Sequence, residues 1–313
     1  MPSEVGSEVG SEVGSEVSSR VLVENGPDQG ALWHSGSFVQ EQRALHEGRG
    51  WADLGHRPII TVSGVDRLSW LHSLTTQDLE KLAPHQWTQA LILSPHGHVE
   101  HHLVVVDDGT TTWIHVEPNT SEELVKYLDS MKFMLRVDVA DVSSAYKCIR
   151  VPGLPDLIGG PFRIVARNET LVFAADAFEV GMWAIEAERI AAGRPRLKFE
   201  TDHKTIPNEV GWLNTAVHMN KGCYRGQETV ARTFNLGKPP RRLVQLHLDG
   251  SVVSLPPHCT PVMYQEKQVG FIGSSALHYE LGPIALAVIK RNIPEDALLL
   301  AGDIPAAQEL NLS

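Results

Sequence analysis

Apolar positions change period several times between residues 58 and 142, and each change predicts an element. Residues 58–63 are β-branched and apolar, the composition of a short strand. Val65, Leu68, Leu71 and Leu74 then recur at a helical spacing, with Ser63 or Gly64 placed near the cap. Residues 86–93, 99–106 and 110–116 read as three successive strands. Pro95-His96-Gly97-His98 and Asp107-Asp108-Gly109 supply the two hairpin turns between them. Residues 122–131 return to a helical pattern and residues 136–142 to a strand.

A second unit follows, with strands near residues 145–151, 163–167 and 171–175 and a helix through 182–192 that stops at Gly193, a residue suited to the left-handed end of a helix. Strands, hairpins and helices in this order predict an α+β class, with two ferredoxin-like α+β domains. After Pro239-Pro240 the pattern becomes short strands at 242–248, 261–264, 268–274 and 283–289, separated by Pro/Gly turns, which predicts a small all-β barrel. The expected organisation is a tail over residues 1–19, a first domain over 20–144, a second over 145–238 and the barrel over 239–313. The tail is set apart because residues 3–18 repeat Ser-Glu-Val-Gly, a composition too poor in apolar side chains to offset the entropy of ordering.

Composition narrows the class. No apolar run is long enough for a membrane-spanning helix, and the acidic N-terminus lacks the basic and apolar regions of a secretory signal, so a cytoplasmic location is expected. Cys148, Cys223 and Cys259 are odd in number, far apart and without a CxxC pair, which argues against a disulfide framework and against a cysteine-held metal. The net charge of -11 is uneven. From Arg189 to Arg242 eleven basic residues face four acidic ones, leaving +7 there and -18 elsewhere. A basic island in an acidic chain points to an anion site, while the acidic remainder disfavours direct nucleic-acid binding.

The densest chemistry lies in Lys221-Gly222-Cys223-Tyr224-Arg225-Gly226-Gln227-Glu228, continuing to Arg232. A cysteine between glycines and flanked by two cations has the surroundings that favour a thiolate, and a helix beginning at Gly226 would add its positive end.

That string resembles the signature of the YgfZ family, folate-binding relatives of the glycine-cleavage T-protein. Residues 74–79, the Ser94-Pro95-His96-Gly97 turn, Arg189–Pro195 and the strands near 269–274 and 282–286 are similar to further family segments in the same order. The resemblance covers roughly residues 45–290 and implies a ring of domains around a central cavity holding tetrahydrofolate or a derivative. It implies Cys223 as the reacting thiol and Glu209, in Pro207-Asn208-Glu209-Val210-Gly211, as the pterin partner. Lys221, Tyr224, Arg225, Gln227 and Arg232 are the other implied folate contacts. The function it implies is a folate-binding accessory role in iron–sulfur protein assembly or repair, or in tRNA modification, with iron–sulfur client proteins as partners.

One departure bears on catalysis. Where T-proteins carry an aspartate that assists aminomethyl transfer, this chain reads Gly97-His98-Val99-Glu100-His101-His102-Leu103, with histidine at both matching positions. A tetrahydrofolate-dependent aminomethyl or methyl transferase is therefore the second reading, and a non-enzymatic tRNA-associated protein the third. His96, His98, His101 and His102 are expected to be solvated hairpin histidines, because positions four apart on a strand are too distant to share an ion.

Overall fold

The computed structural model describes residues 20–309 except 157, 252 and 253; the Ser-Glu-Val-Gly repeat lies outside the described residues. The first elements are Val21–Leu22 (β1), Leu32–His34 (β2), Phe38–His46 (α1), Gly50–Asp53 (β3), Ile59–Ser63 (β4) and Arg67–Leu74 (α2). Thr88–Leu93 (β5), Val99–Asp107 (β6), Thr111–His115 (β7), Ser121–Ser130 (α3) and Asp138–Asp141 (β8) follow. Tyr146–Arg150 (β9), Phe162–Ala166 (β10), Phe178–Glu179 (β11), Met182–Ala191 (α4) and Gln227–Leu236 (α5) complete the α+β part. Arg241–Leu248 (β12), Pro261–Tyr264 (β13), Lys267–His278 (β14), Gly282–Lys290 (β15), Leu299–Ala301 (β16) and Ile304–Gln308 (β17) form the last part.

Strands β5-β6-β7-β4-β8 make a five-stranded sheet, and α2 and α3 bury their apolar sides on it. Trp70, Leu71 and Leu74 of α2 meet Leu124 and Leu128 of α3 over the inward residues of β4 to β7. A four-stranded sheet runs β10-β9-β3-β11. Its strand β3 comes from the N-terminal part of the chain and pairs antiparallel with β9 and parallel with β11. Residues on both sides of position 144 thus share one sheet and one core, in which Leu45, Ala52 and Leu54 pack with Cys148, Phe162 and Val180. The separation at 144/145 expected from the sequence runs through this shared core. The residues at 171–175 that read as a strand are coil, and Phe173 instead packs its ring 4.7 Å from that of Trp51.

The C-terminal part closes into a barrel of order β12-β15-β14-β13-β16-β17, with β17 returning to pair with β12. Closure leaves no free strand edge. A further core cluster joins the parts: Leu91 and Leu93 of β5, Val210 and Trp212, Tyr224 and Val230, and Val288 of β15.

Candidate functional site

A cavity of about 420 Å³ opens where the two sheets and the barrel meet. Gln89, His102, Val104 and His115 project into it from β5, β6 and β7, Arg150 and Phe162 from β9 and β10, and Arg242 and Leu243 from β12. Strand alternation decides which histidine enters: His102 and Val104 line the cavity, while His101 lies on the other face of β6 near Tyr127. Helix α4 ends as its sequence suggests, at Gly193 with φ 66°, and the turn directs Arg194, Pro195 and Arg196 into the wall.

The lining is strongly cationic. Arg57, Arg150 and Arg242 form no ion pair among the described residues. Among the described residues Arg150 reaches the carbonyls of Gly50 (2.8 Å) and Gly153 (3.4 Å), and Arg242 the Ile293 carbonyl and Gln308 Oε1. Burial pushes the pKa of both guanidinium groups down, as removal of a charge from water without a counterion should. The acidic residues of the wall, Glu117 and Glu209, are both committed. Glu117 lies 2.7 Å from Arg196; burial pushes its carboxyl up, but Arg196 and Arg57 outweigh this and hold it near about 2. Glu209 receives two parallel bonds from Arg241 (2.9 and 2.8 Å) and one from the Ile206 amide (3.2 Å).

His102 stacks on Trp212 at 4.7 Å with 20° between the rings, and its Nε2 sits 3.0 Å from Gln89 Oε1. Burial pushes its pKa down to about 4 and that of His115 to about 3, so both are neutral at pH 7. His115 packs edge-on against Phe162 at 4.9 Å, and its Nε2 has no partner. Arg57 Nε and Asn208 Oδ1 are likewise buried, and all three atoms are without partners among the described residues. Buried polar atoms are rarely left unpaired, so these three mark where a polar ligand would complete the wall.

Behind the cavity, Arg196 joins a buried ion network. Its guanidinium meets Asp28, Glu117 and Glu186, while Arg189 meets Glu186 and Glu200. Burial opposes the charge on Arg196, but Glu117, Glu186 and Asp28 more than compensate, and its pKa is raised. Within the basic island read from the sequence, Arg189, Arg194, Arg196, Arg225 and Arg241 are thus paired with carboxylates.

The residues implied by the resemblance fall into two groups. Glu209 lines the cavity, though Arg241 occupies most of its lone pairs. Lys221, Tyr224, Arg225, Gln227 and Arg232 are absent from the cavity wall, and the first three have clear structural roles. The Lys221 ammonium donates to the carbonyls of His72, Thr75 and Gln77 at the end of α2, and burial lowers its pKa to about 8. Tyr224 is a core residue whose burial raises its pKa to about 12. Arg225 pairs with Glu100 at 3.3 Å and lies over the Tyr127 ring. Cys223 is exposed, three residues before Gly226, which precedes α5. A Cβ on Gly226 would fall 2.6 Å from the Ser94 carbonyl oxygen, so the bare glycine lets the β5–β6 turn nest against the cysteine loop. Lys221→Met should strip three carbonyls of their donor and destabilise the protein by about 2–3 kcal/mol. Amide hydrogen exchange should then show faster exchange confined to the ends of α2 and the cysteine loop.

The histidine expectation is corrected in part. His96 is exposed and His98 partly so, but His101 and His102 are enclosed by neighbouring strands and rings. No cluster among the described residues could hold a metal ion. Sequence reading missed Arg57, His115, Arg150 and Trp212. The available signal was Arg150 directly after the apolar pair Cys148-Ile149 at the buried end of β9.

Residues 24–155 match the family model of the GCVT N-terminal domain. The chloroplastic protein At1g60990 of Arabidopsis thaliana is 27% identical over 244 residues, covering 63% of this chain and 55% of that protein. An aminomethyltransferase of Rippkaea orientalis is 26% identical over 308 residues, 81% of each chain. The mitochondrial iron–sulfur cluster assembly factor IBA57 homolog of Mycosarcoma maydis is 25% identical over 229 residues, 62% of this chain and 56% of that one. The chain thus spans little more than half the length of the Arabidopsis and Mycosarcoma relatives. The crystal structure of the glycine cleavage system aminomethyltransferase T from Bartonella henselae superposes with a TM-score of 0.77 over 95% of both chains at 14% identity, a likeness of fold. No helix among the described residues is long and apolar enough to cross a membrane.

Proposed function

We propose that the protein binds a reduced folate in the central cavity and serves as an accessory factor in iron–sulfur protein assembly or repair, with Cys223 as its reacting or transiently ligating thiol. The observation that carries the folate reading is the cavity wall: three guanidinium groups with no carboxylate within ion-pair distance among the described residues, beside a flat His102–Trp212 stack. Such a wall suits a planar ring joined to a tail of carboxylates. The volume lies within the range of small-molecule sites. Asn208 Oδ1 would accept an N–H of the ring; Arg57 and Arg150 would hold anionic oxygens. Bound tetrahydrofolate supplies carriage of a one-carbon unit; the chain's own groups orient it and neutralise its tail.

Binding without aminomethyl transfer is favoured by the lack of a free base. Both wall carboxylates are tied to arginines, and His102 and His115 hold protons too weakly at pH 7 to accept one readily. The iron–sulfur role rests on the likeness to the IBA57 iron–sulfur cluster assembly factor homologs and on the exposed Cys223.

Calorimetric titration of 5-formyltetrahydrofolate should show binding to the wild type, roughly tenfold or greater weakening in Arg57→Met, and full retention in Cys223→Ala. Absence of wild-type binding would overturn the folate reading. The accessory role is tested separately: in cells lacking the protein, activity of a [4Fe–4S] enzyme should fall and be restored by the wild type but not by Cys223→Ala.

A further inference from the structure

On the far side of Arg196 lies a second cavity, of about 320 Å³. Arg196 lines both cavities, so its ion network forms the partition between them. Their characters differ. The charged groups of the second wall, Asp28, Glu186 and Arg196, are spent on one another and on Glu117. Every N–H of Arg196 is engaged: Nε with Glu117, Nη1 with Asp28 and Glu186, Nη2 with Asp28 and Glu117. No charge is left to neutralise an ionic ligand.

Trp33, Trp183, Phe199 and His258 give the wall its rings, beside the smaller Val23, Asn25, Pro27 and Leu255. Trp33 and Trp183 meet edge to face at 5.1 Å, and Phe199 lies 4.3 Å from the Arg196 guanidinium on one side and 5.5 Å from the His258 ring on the other. Two polar atoms of this wall are buried without partners among the described residues, Trp183 Nε1 and Ser274 Oγ, and Ser274 is only 7% exposed. His258 Nδ1 lies 2.8 Å from the Gly273 carbonyl, which in the neutral ring leaves Nε2 as an acceptor.

The barrel is locally reshaped to form this wall. Strand β14 bulges between Ile272 and Ser274, and Gly273, Ser274, Ser275 and Ala276 line the cavity in succession. The bulge adds Gly273 to the wall, and beyond it Ser274, Ser275 and Ala276 resume regular pairing with Leu286, Ala285 and Ile284. The bulge residue has to be glycine, because a Cβ there would lie 2.5 Å from Glu200 Oε1.

We propose that this cavity is a second ligand site, for an uncharged heteroaromatic molecule about the size of a purine nucleoside. Flat rings match the indole and phenyl faces. A heterocycle with both acceptors and donors on its edge satisfies Trp183 Nε1, Ser274 Oγ and His258 Nε2 together. An ionic ligand would be buried without a counter-charge and is disfavoured. The inference is independent of the folate reading.

The test is calorimetric titration of adenosine into the full chain. Binding with Kd on the order of 0.1 mM is expected for a ligand of that size. Trp183→Phe, which removes one donor, should weaken it about five- to tenfold, and Ala276→Phe, which fills the cavity, should abolish it. Adenosine monophosphate should bind no tighter than adenosine, and Arg57→Met should leave adenosine binding unchanged. Should Ala276→Phe fail to fold, Trp183→Phe and the monophosphate carry the decision. Absence of adenosine binding to the wild type, or binding lost in Arg57→Met and indifferent to Trp183→Phe, would overturn the proposal.

Discussion

Arg196→Met is expected to lower the unfolding free energy by about 3–5 kcal/mol, among the largest effects of any single substitution in this chain. The guanidinium is the shared partner of Asp28, Glu117 and Glu186, which come from the N-terminal segment, the end of β7 and α4. Methionine preserves much of the volume while leaving three carboxylates facing one another in a buried space. They cannot all remain ionised there, so some take up protons or draw in water. Urea unfolding followed by far-ultraviolet circular dichroism measures the loss. A difference below about 1 kcal/mol would mean that the network is offset by its own desolvation, as some buried ion clusters are.

The second large effect concerns pH. His115 is enclosed and neutral, its pKa pushed down to about 3 by burial, with Arg57 acting in the same direction, against 6.5 for the free group. Between those values the unfolded chain binds a proton that the folded chain does not. Stability is therefore fully present above about pH 6.5 and is lost as pH falls toward 3. Glu117 acts in the same sense at lower pH: its folded value near 2 against 4.5 gives stability that disappears as pH falls through that window. The expected profile declines in two stages, the first setting in near neutrality. By pH 4 the His115 contribution lost is on the order of 3 kcal/mol. His115→Phe keeps an aromatic ring against Trp87 and Phe162 and should make the first stage shallower by the His115 share, with His101 and His102, both pushed down to about 4 by burial, supplying the rest, while leaving the second stage. Urea midpoints at pH 7, 6, 5 and 4 for both proteins decide the matter. An unchanged slope in the variant would assign the decline to other groups.

What could be read from the sequence followed the range of the forces involved. Strand β13 matches the expected bounds, and β5, β6, β7, α2 and α4 agree within a few residues, because alternation, helical spacing and turn chemistry act locally. Strands β3 and β11 are short and owe their existence to partners far along the chain, so no local pattern announced them. The site divides in the same way. Cys223 stands out by its glycine and basic neighbours and is exposed as a reacting thiol needs to be. Lys221 looked like a cation for that thiol or for a ligand, but a contact with a helix end 149 positions earlier claims its charge. His102 stands in the sequence as a substitution within a motif and as one of four histidines expected to be solvated, and the sheet turns it into the cavity beside Trp212.

Strand β3 also dictates an order of events during synthesis. Residues 50–53 leave the ribosome well before β9 and β11, their partners on either side. At about 5–20 residues per second, about a hundred residues take about 5–20 s to appear. For that interval the nascent chain holds the Gly-Trp-Ala-Asp segment of β3 without either of its partners, the condition under which chaperones engage emerging polypeptides. The five-stranded sheet, whose strands are all contained within residues 59–141, can form in the meantime and hold β3 close to where β9 will arrive.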